Sequence, residues 1–81
     1  MAIRQGVLGL ARMDVGPNAQ FEQVTERAEA YLKWISEGTR LSQEESYNIL
    51  VESRIYGLTT DEVLRNATLA RTWLTSANDE I

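Results

Sequence analysis

The chain has 81 residues, 43% of them apolar and 25% charged, with a single proline, the composition of one small globular domain and not of a disordered segment. Its 8 basic and 12 acidic side chains leave a net charge of −4, the opposite of the basic stripe expected of a protein that neutralises phosphates. With neither cysteine nor histidine, it is denied disulfides, thiol chemistry, zinc sites of the usual kind and imidazole acid–base catalysis.

Residues 1–17 differ in character from the rest. Ile3, Val7 and Leu10 fall on one helical face with Leu8 beside it, but Gly6 and Gly9 each cost about 1 kcal/mol in a helix interior relative to alanine. The same run also reads as a short strand, and the expectation is an irregular or weakly helical N-terminal arm, ended by Gly16-Pro17. The apolar run 6–11 is too short and too glycine-rich for a signal-peptide core, and no stretch approaches the roughly 18 apolar residues of a membrane span. A cytoplasmic protein is expected, with no membrane partner.

A long first helix is predicted over 19–37, with Asn18 as its cap. Phe21, Val24, Ala28, Tyr31 and Ile35 follow a 3-4-3-4 spacing, and Leu32 widens the stripe. Such a seam suits a helix packed along its length on shorter ones, or paired with its copy in a homodimer. Glu29 and Lys33 stand in the favourable order for a surface pair. Gly38 is read as a left-handed stop.

The phrase Leu41-Ser42-Gln43-Glu44-Glu45 returns seventeen residues later as Leu58-Thr59-Thr60-Asp61-Glu62. Each couples a hydroxyl residue to a glutamate three positions on, the reciprocal capping box that starts a helix. The second helix is predicted over 43–56, with Tyr47, Leu50, Val51 and Ile55 inward and Gly57 ending it. The third is predicted over 60–74, with Val63, Ala67, Ala70 and Leu74 on one face and Leu64 beside them. Short turns between the three imply an all-α, small three-helix bundle over 18–75, followed by a polar tail at 76–81.

The carboxylates of Glu22, Glu26, Glu29, Glu44, Glu45, Glu52, Asp61 and Glu62 stand at capping or solvent-facing positions, where their role is structural. The serines lack a histidine partner, Lys33 is the sole lysine, and Gly6-Val7-Leu8-Gly9 lacks the later glycine and lysine of a phosphate loop. No enzyme, cofactor or metal is therefore expected. Trp34 falls off the seam of the first helix beside Lys33, and Trp73 lies near the end of the third, two residues after Arg71. Core packing is the first reading for both, as for Tyr31 and Tyr47, because so small a domain needs its large side chains to close. Amphipathic aromatics at partly exposed sites are also typical interface anchors. Tyr31, Trp34 and Trp73, with the acidic residues Glu22, Glu26 and Glu29, are accordingly the candidate partner-binding set.

From Ile35 to Leu64 the chain resembles the helical ANTAR domain, an RNA-binding module of bacterial antitermination regulators. The resemblance is carried by Ile35, Leu41-Ser42, Glu44-Glu45, Ser46-Tyr47, Leu50 and Val63-Leu64, with Ser46 and Leu64 standing where the family favours alanine. It implies dimerisation through the long first helix, phosphate contacts from Arg40, Arg54, Arg65 and Arg71, and Tyr47 as the aromatic of the motif. A helix-turn-helix over 41–74 is a related reading, with Thr60, Arg65, Asn66 and Thr68 facing a groove; Asp61 and Glu62 at its entrance would repel the backbone. The reading placed first needs no residue the chain lacks. It is a non-enzymatic, acidic helical protein-binding module of phage or bacterial type, an adaptor or inhibitor docking on a larger partner, including one that handles nucleic acid. Its acidic faces, Glu22-Glu26-Glu29 and Glu44-Glu45-Glu52, would steer it towards a basic surface.

Overall fold

The structure, a computed structural model, describes residues 3–38, 40–56 and 59–79, and among them all regular structure is helical. Four α-helices follow in order: α1 (Ile3–Val15), α2 (Phe21–Glu37), α3 (Gln43–Ser53) and α4 (Thr60–Asp79), with a single 3-10 turn (Arg54–Tyr56) closing α3. The all-α class is as expected, but the count of three is corrected to four. The helix expected to come first is second, and α4, with 20 residues, is the longest.

The additional helix is the N-terminal arm. Val7, Leu10 and Ala11 of α1 are buried, chiefly against α2. Burying an aliphatic side chain contributes roughly 1.5–3 kcal/mol, so Val7 and Leu10 together offset the roughly 2 kcal/mol that two helical glycines cost. Gly6 also has a packing reason. A Cβ there would stand 2.9 Å from the Tyr47 hydroxyl and 3.1 Å from its ring, so the glycine is what lets α3 lay Tyr47 on α1. The arm ends where expected, at Gly16, whose φ of +86° is the left-handed value that favours glycine.

Helix α2 starts at Phe21, and its cap is Gln20 rather than Asn18. The Gln20 amide donates to the Gln23 side-chain oxygen at 2.9 Å. Val24, Ala28, Tyr31 and Ile35 are buried as the seam predicts, joined by Trp34. Phe21 departs from that stripe and is 66% exposed, because the stripe covered by α1 runs through Val24 and Tyr31 and leaves Phe21 at its margin near Met13. Gly38 is not left-handed; its φ of −74° is open to any residue. Its reason is space, since a Cβ would meet Arg71 Nη1 at 3.1 Å and Ser46 Oγ at 3.3 Å.

Both capping boxes form. Ser42 and Glu45 exchange hydrogen bonds of 3.0 and 3.1 Å, and Thr59 and Glu62 bonds of 2.9 and 3.1 Å. Within α3, Leu50 and Ile49 are buried, while Tyr47 and Val51 pack at the margin of the core. Ile55, expected inward, is 75% exposed. The chain tightens after Ser53 into the 3-10 turn, and three residues per turn instead of 3.6 carry Ile55 off the buried face. The stop expected at Gly57 lies outside the described residues.

Helix α4 buries Val63 and Ala67, with Leu64 and Ala70 packed beside them. It does not end at Leu74 but continues to Asp79, so most of the expected polar tail is helix. Residues 75–79 contain no glycine or proline, and Thr75 Oγ1 donates back to the Arg71 carbonyl at 3.0 Å, satisfying its hydroxyl within the helix. Leu74, expected inward, is 39% exposed.

Candidate functional site

A polar cluster with little access to solvent joins three helices. Asp14, in the last turn of α1, accepts a hydrogen bond from the Tyr31 hydroxyl of α2 at 2.6 Å. Arg54, just past α3, donates Nε to both of its oxygens at 2.7 and 2.9 Å, and its Nη2 lies 2.6 Å from Oδ1. Arg27 Nε donates to the Tyr31 hydroxyl at 2.8 Å, and its guanidinium lies 3.9 Å from Asp14. The side chains of Asp14, Arg27 and Arg54 are only 11%, 9% and 17% exposed. Burial, and then the hydrogen bond to Asp14, push the Tyr31 phenol up to about 12. The same carboxylate raises Arg54 above its already high value. A phenol so reluctant to ionise and guanidinium groups held charged make poor proton-transfer groups near neutral pH. The arrangement is a tie between helices.

A second tie joins α2 to α4. Trp34 Nε1 donates to Thr68 Oγ1 at 2.9 Å, the Arg71 guanidinium lies 4.2 Å from the centre of the Trp34 ring, and Arg71 Nη1 donates to the Trp34 carbonyl at 3.3 Å. The arginine thus stacks on the indole and covers a carbonyl in the last turn of its helix.

Exposed apolar side chains fall in two places besides Ile55: Leu8, Met13 and Phe21 on α1 and α2, and Leu69, Trp73 and Leu74 on α4. Trp73 is 70% exposed and Leu69, one turn earlier, 64% exposed, with Leu74 beside them. Next to them runs a shallow groove between the two helices, lined by Asn48, Ile49, Glu52, Ala70, Trp73 and Leu74.

The residues singled out from sequence are therefore divided. Of the partner-binding set, Tyr31 and Trp34 are buried and committed to internal hydrogen bonds, whereas Trp73 faces outward. Glu22, Glu26 and Glu29 are exposed on α2 and do not line the Trp73 groove; Glu29 pairs at 3.8 Å with Arg4, an ion pair so open to solvent that it stabilises little. Of the arginines, Arg54 and Arg71 are held by the two ties, while Arg40 and Arg65 are exposed. The Thr68 hydroxyl, assigned to a groove in the helix-turn-helix reading, is engaged by Trp34. Tyr47 lies against Gly6. Of the α2 seam offered for a homodimer, Val24, Ala28, Tyr31 and Ile35 are buried within the chain and Phe21 stays exposed.

Sequence reasoning passed over Asp14 and Arg27. The signal for Arg27 was its position four residues before Tyr31, but Asp14 lay in a segment read as irregular, where no face could be assigned to it.

Among the described residues no group of three or more acidic, histidine or cysteine side chains could hold a metal ion, and no helix is long and apolar enough to cross a membrane. No protein-family model matches the chain, and neither a curated protein nor a solved structure matches it significantly.

Proposed function

We propose that the chain is a non-enzymatic protein-binding module that works by docking, as an adaptor or inhibitor, on a larger partner through the outer face of α3 and α4. One observation carries this reading: Trp73 stands 70% exposed beside Leu69 and Leu74, on a chain that buries its other tryptophan almost completely. An indole left in water exposes a large apolar surface, and tryptophan is among the residues that dominate binding energy at interfaces. The polar clasp and the Trp34–Arg71 stack hold the helices on which this face is built. The nucleic-acid alternative, whether ANTAR-like or helix-turn-helix, has Arg65 exposed on α4, whereas the guanidinium groups of Arg54 and Arg71 serve the internal ties.

The test is site-specific photo-crosslinking in the cells that make the protein. A photoreactive phenylalanine analogue at position 73 is expected to give a discrete adduct with another protein, absent when the same group replaces Lys33 on α2. The partner so identified should bind the purified Trp73→Ala chain at least about tenfold more weakly, as for an interface anchor. Equal crosslinking at both positions, or an affinity unchanged by Trp73→Ala, would refute the reading.

A further inference from the structure

Resting on the protein-binding reading, we infer that the occupant of the α3–α4 groove is a basic amphipathic helix, with apolar side chains at three- and four-residue spacing and lysine or arginine on its flanks. The groove supplies both halves of that chemistry. Its apolar lining is Ile49, Ala70, Leu74 and the face of Trp73, and the small side chain of Ala70 leaves room between the two helices for an incoming ridge. Its only charged lining residue is Glu52, accompanied by the polar Asn48, and no lysine or arginine lines it. Glu45 stands two turns before Glu52 on the same exposed face of α3. Hydrogen bonds from Ser42 hold its carboxyl below the usual range, so it is ionised throughout the neutral region.

The charge pattern separates the occupants. A helix with basic flanks meets Glu45 and Glu52 with opposite charge, which speeds encounter and fixes orientation. A second copy of this chain would bring the same two glutamates, and a net charge of −4, against their like. A peptide adding as a β-strand would need a sheet edge, and the described residues form helices only. An apolar face laid between two helices, with anchors one turn apart, is the recognition mode this surface fits.

The experiment is a display selection of helical peptides on the full chain, with counter-selection on the Trp73→Ala variant. Circular dichroism first establishes that the variant retains its helices. Enriched sequences are expected to be net positive, with apolar residues at i, i+3 or i+4, and i+7. A synthetic peptide from the selection should lose affinity at least about tenfold on Trp73→Ala, as for an anchor residue. It should also lose affinity severalfold on Glu52→Lys and weaken as salt screens the pairs. Trp73-dependent peptides that are neutral or acidic would overturn the inference and leave the protein-binding reading standing. No Trp73-dependent peptide at all would overturn both. A dimer seen by sedimentation that Trp73→Ala dissolves would assign the groove to a second copy and overturn the inference as well.

Discussion

Replacing Asp14 with alanine removes the anion that faces two guanidinium groups and a phenol at the meeting of α1, α2 and the end of α3. Three short hydrogen-bonded contacts are lost, from Tyr31 at 2.6 Å and from Arg54 Nε and Nη2 at 2.7 and 2.6 Å, and Arg54 is left 17% exposed with its counter-charge gone. Breaking a buried pair by removing one partner costs about 3–5 kcal/mol. The partial access of solvent to this site places the expected loss near the lower end, about 3 kcal/mol. For a chain of 81 residues a total stability of about 4–12 kcal/mol is expected, so the variant approaches the limit of folding. The thermal midpoint should fall by roughly 12–24 °C, at 4–8 °C per kcal/mol for a domain of this size. Urea and thermal denaturation followed by circular dichroism measure the loss. A double-mutant cycle with Arg54→Met isolates the pair, and a coupling of at least about 1.5 kcal/mol is expected for a charged hydrogen bond. A loss below about 1 kcal/mol, or strict additivity in the cycle, would show that the contacts are not the tie described above.

Three further outcomes follow from individual groups. In the unfolded chain Tyr31 ionises near pH 10, while in the folded chain it holds its proton until about pH 12; the unfolded state then binds fewer protons, so stability must fall as pH rises through this window. The fall should reach roughly 2–3 kcal/mol at 1.36 kcal/mol per unit, and it should be strongly reduced in Tyr31→Phe, as read from denaturation midpoints across alkaline pH. Gly9→Ala should stabilise by about 1 kcal/mol, because a Cβ there meets nothing within 4 Å, whereas Gly6→Ala must displace Tyr47 and should gain less or lose. Urea titrations of the two variants side by side distinguish them. Ser46→Ala should be neutral or stabilising by up to about 1 kcal/mol, since the hydroxyl is fully buried without a hydrogen-bond partner; a loss above 1 kcal/mol would show that the hydroxyl has one.

What could be read from sequence was what neighbouring residues decide among themselves. The two capping boxes need only a hydroxyl and a glutamate three residues apart, and both formed as written. The seam of α2 needs only periodicity, and Val24, Ala28, Tyr31 and Ile35 are buried in accord with it. The first helix was missed because its glycines carry a local penalty, while the compensation is distant: α2 covers Val7 and Leu10, and Tyr47 occupies the space at Gly6. Asp14 was missed with it. Its partners lie 17 and 40 residues away, beyond any spacing rule. The two tryptophans, both read first as core, part company for a similar reason. Trp34 sits off its helix's main stripe, yet α4 brings Thr68 and Arg71 to it, whereas Trp73 shares a helix with buried residues and lies on the wrong side of it.

That division equips the chain with two optical reporters of opposite kind. Trp34, sealed under a guanidinium and almost without solvent contact, emits from an apolar setting that is lost only when α2 and α4 separate. Trp73 emits from water and is open to a soluble quencher until something covers it. With Trp73 replaced by phenylalanine, the remaining indole reports unfolding; with Trp34 replaced, the remaining indole reports occupancy. Folding and the proposed docking can therefore be followed separately in the same molecule, with no added label.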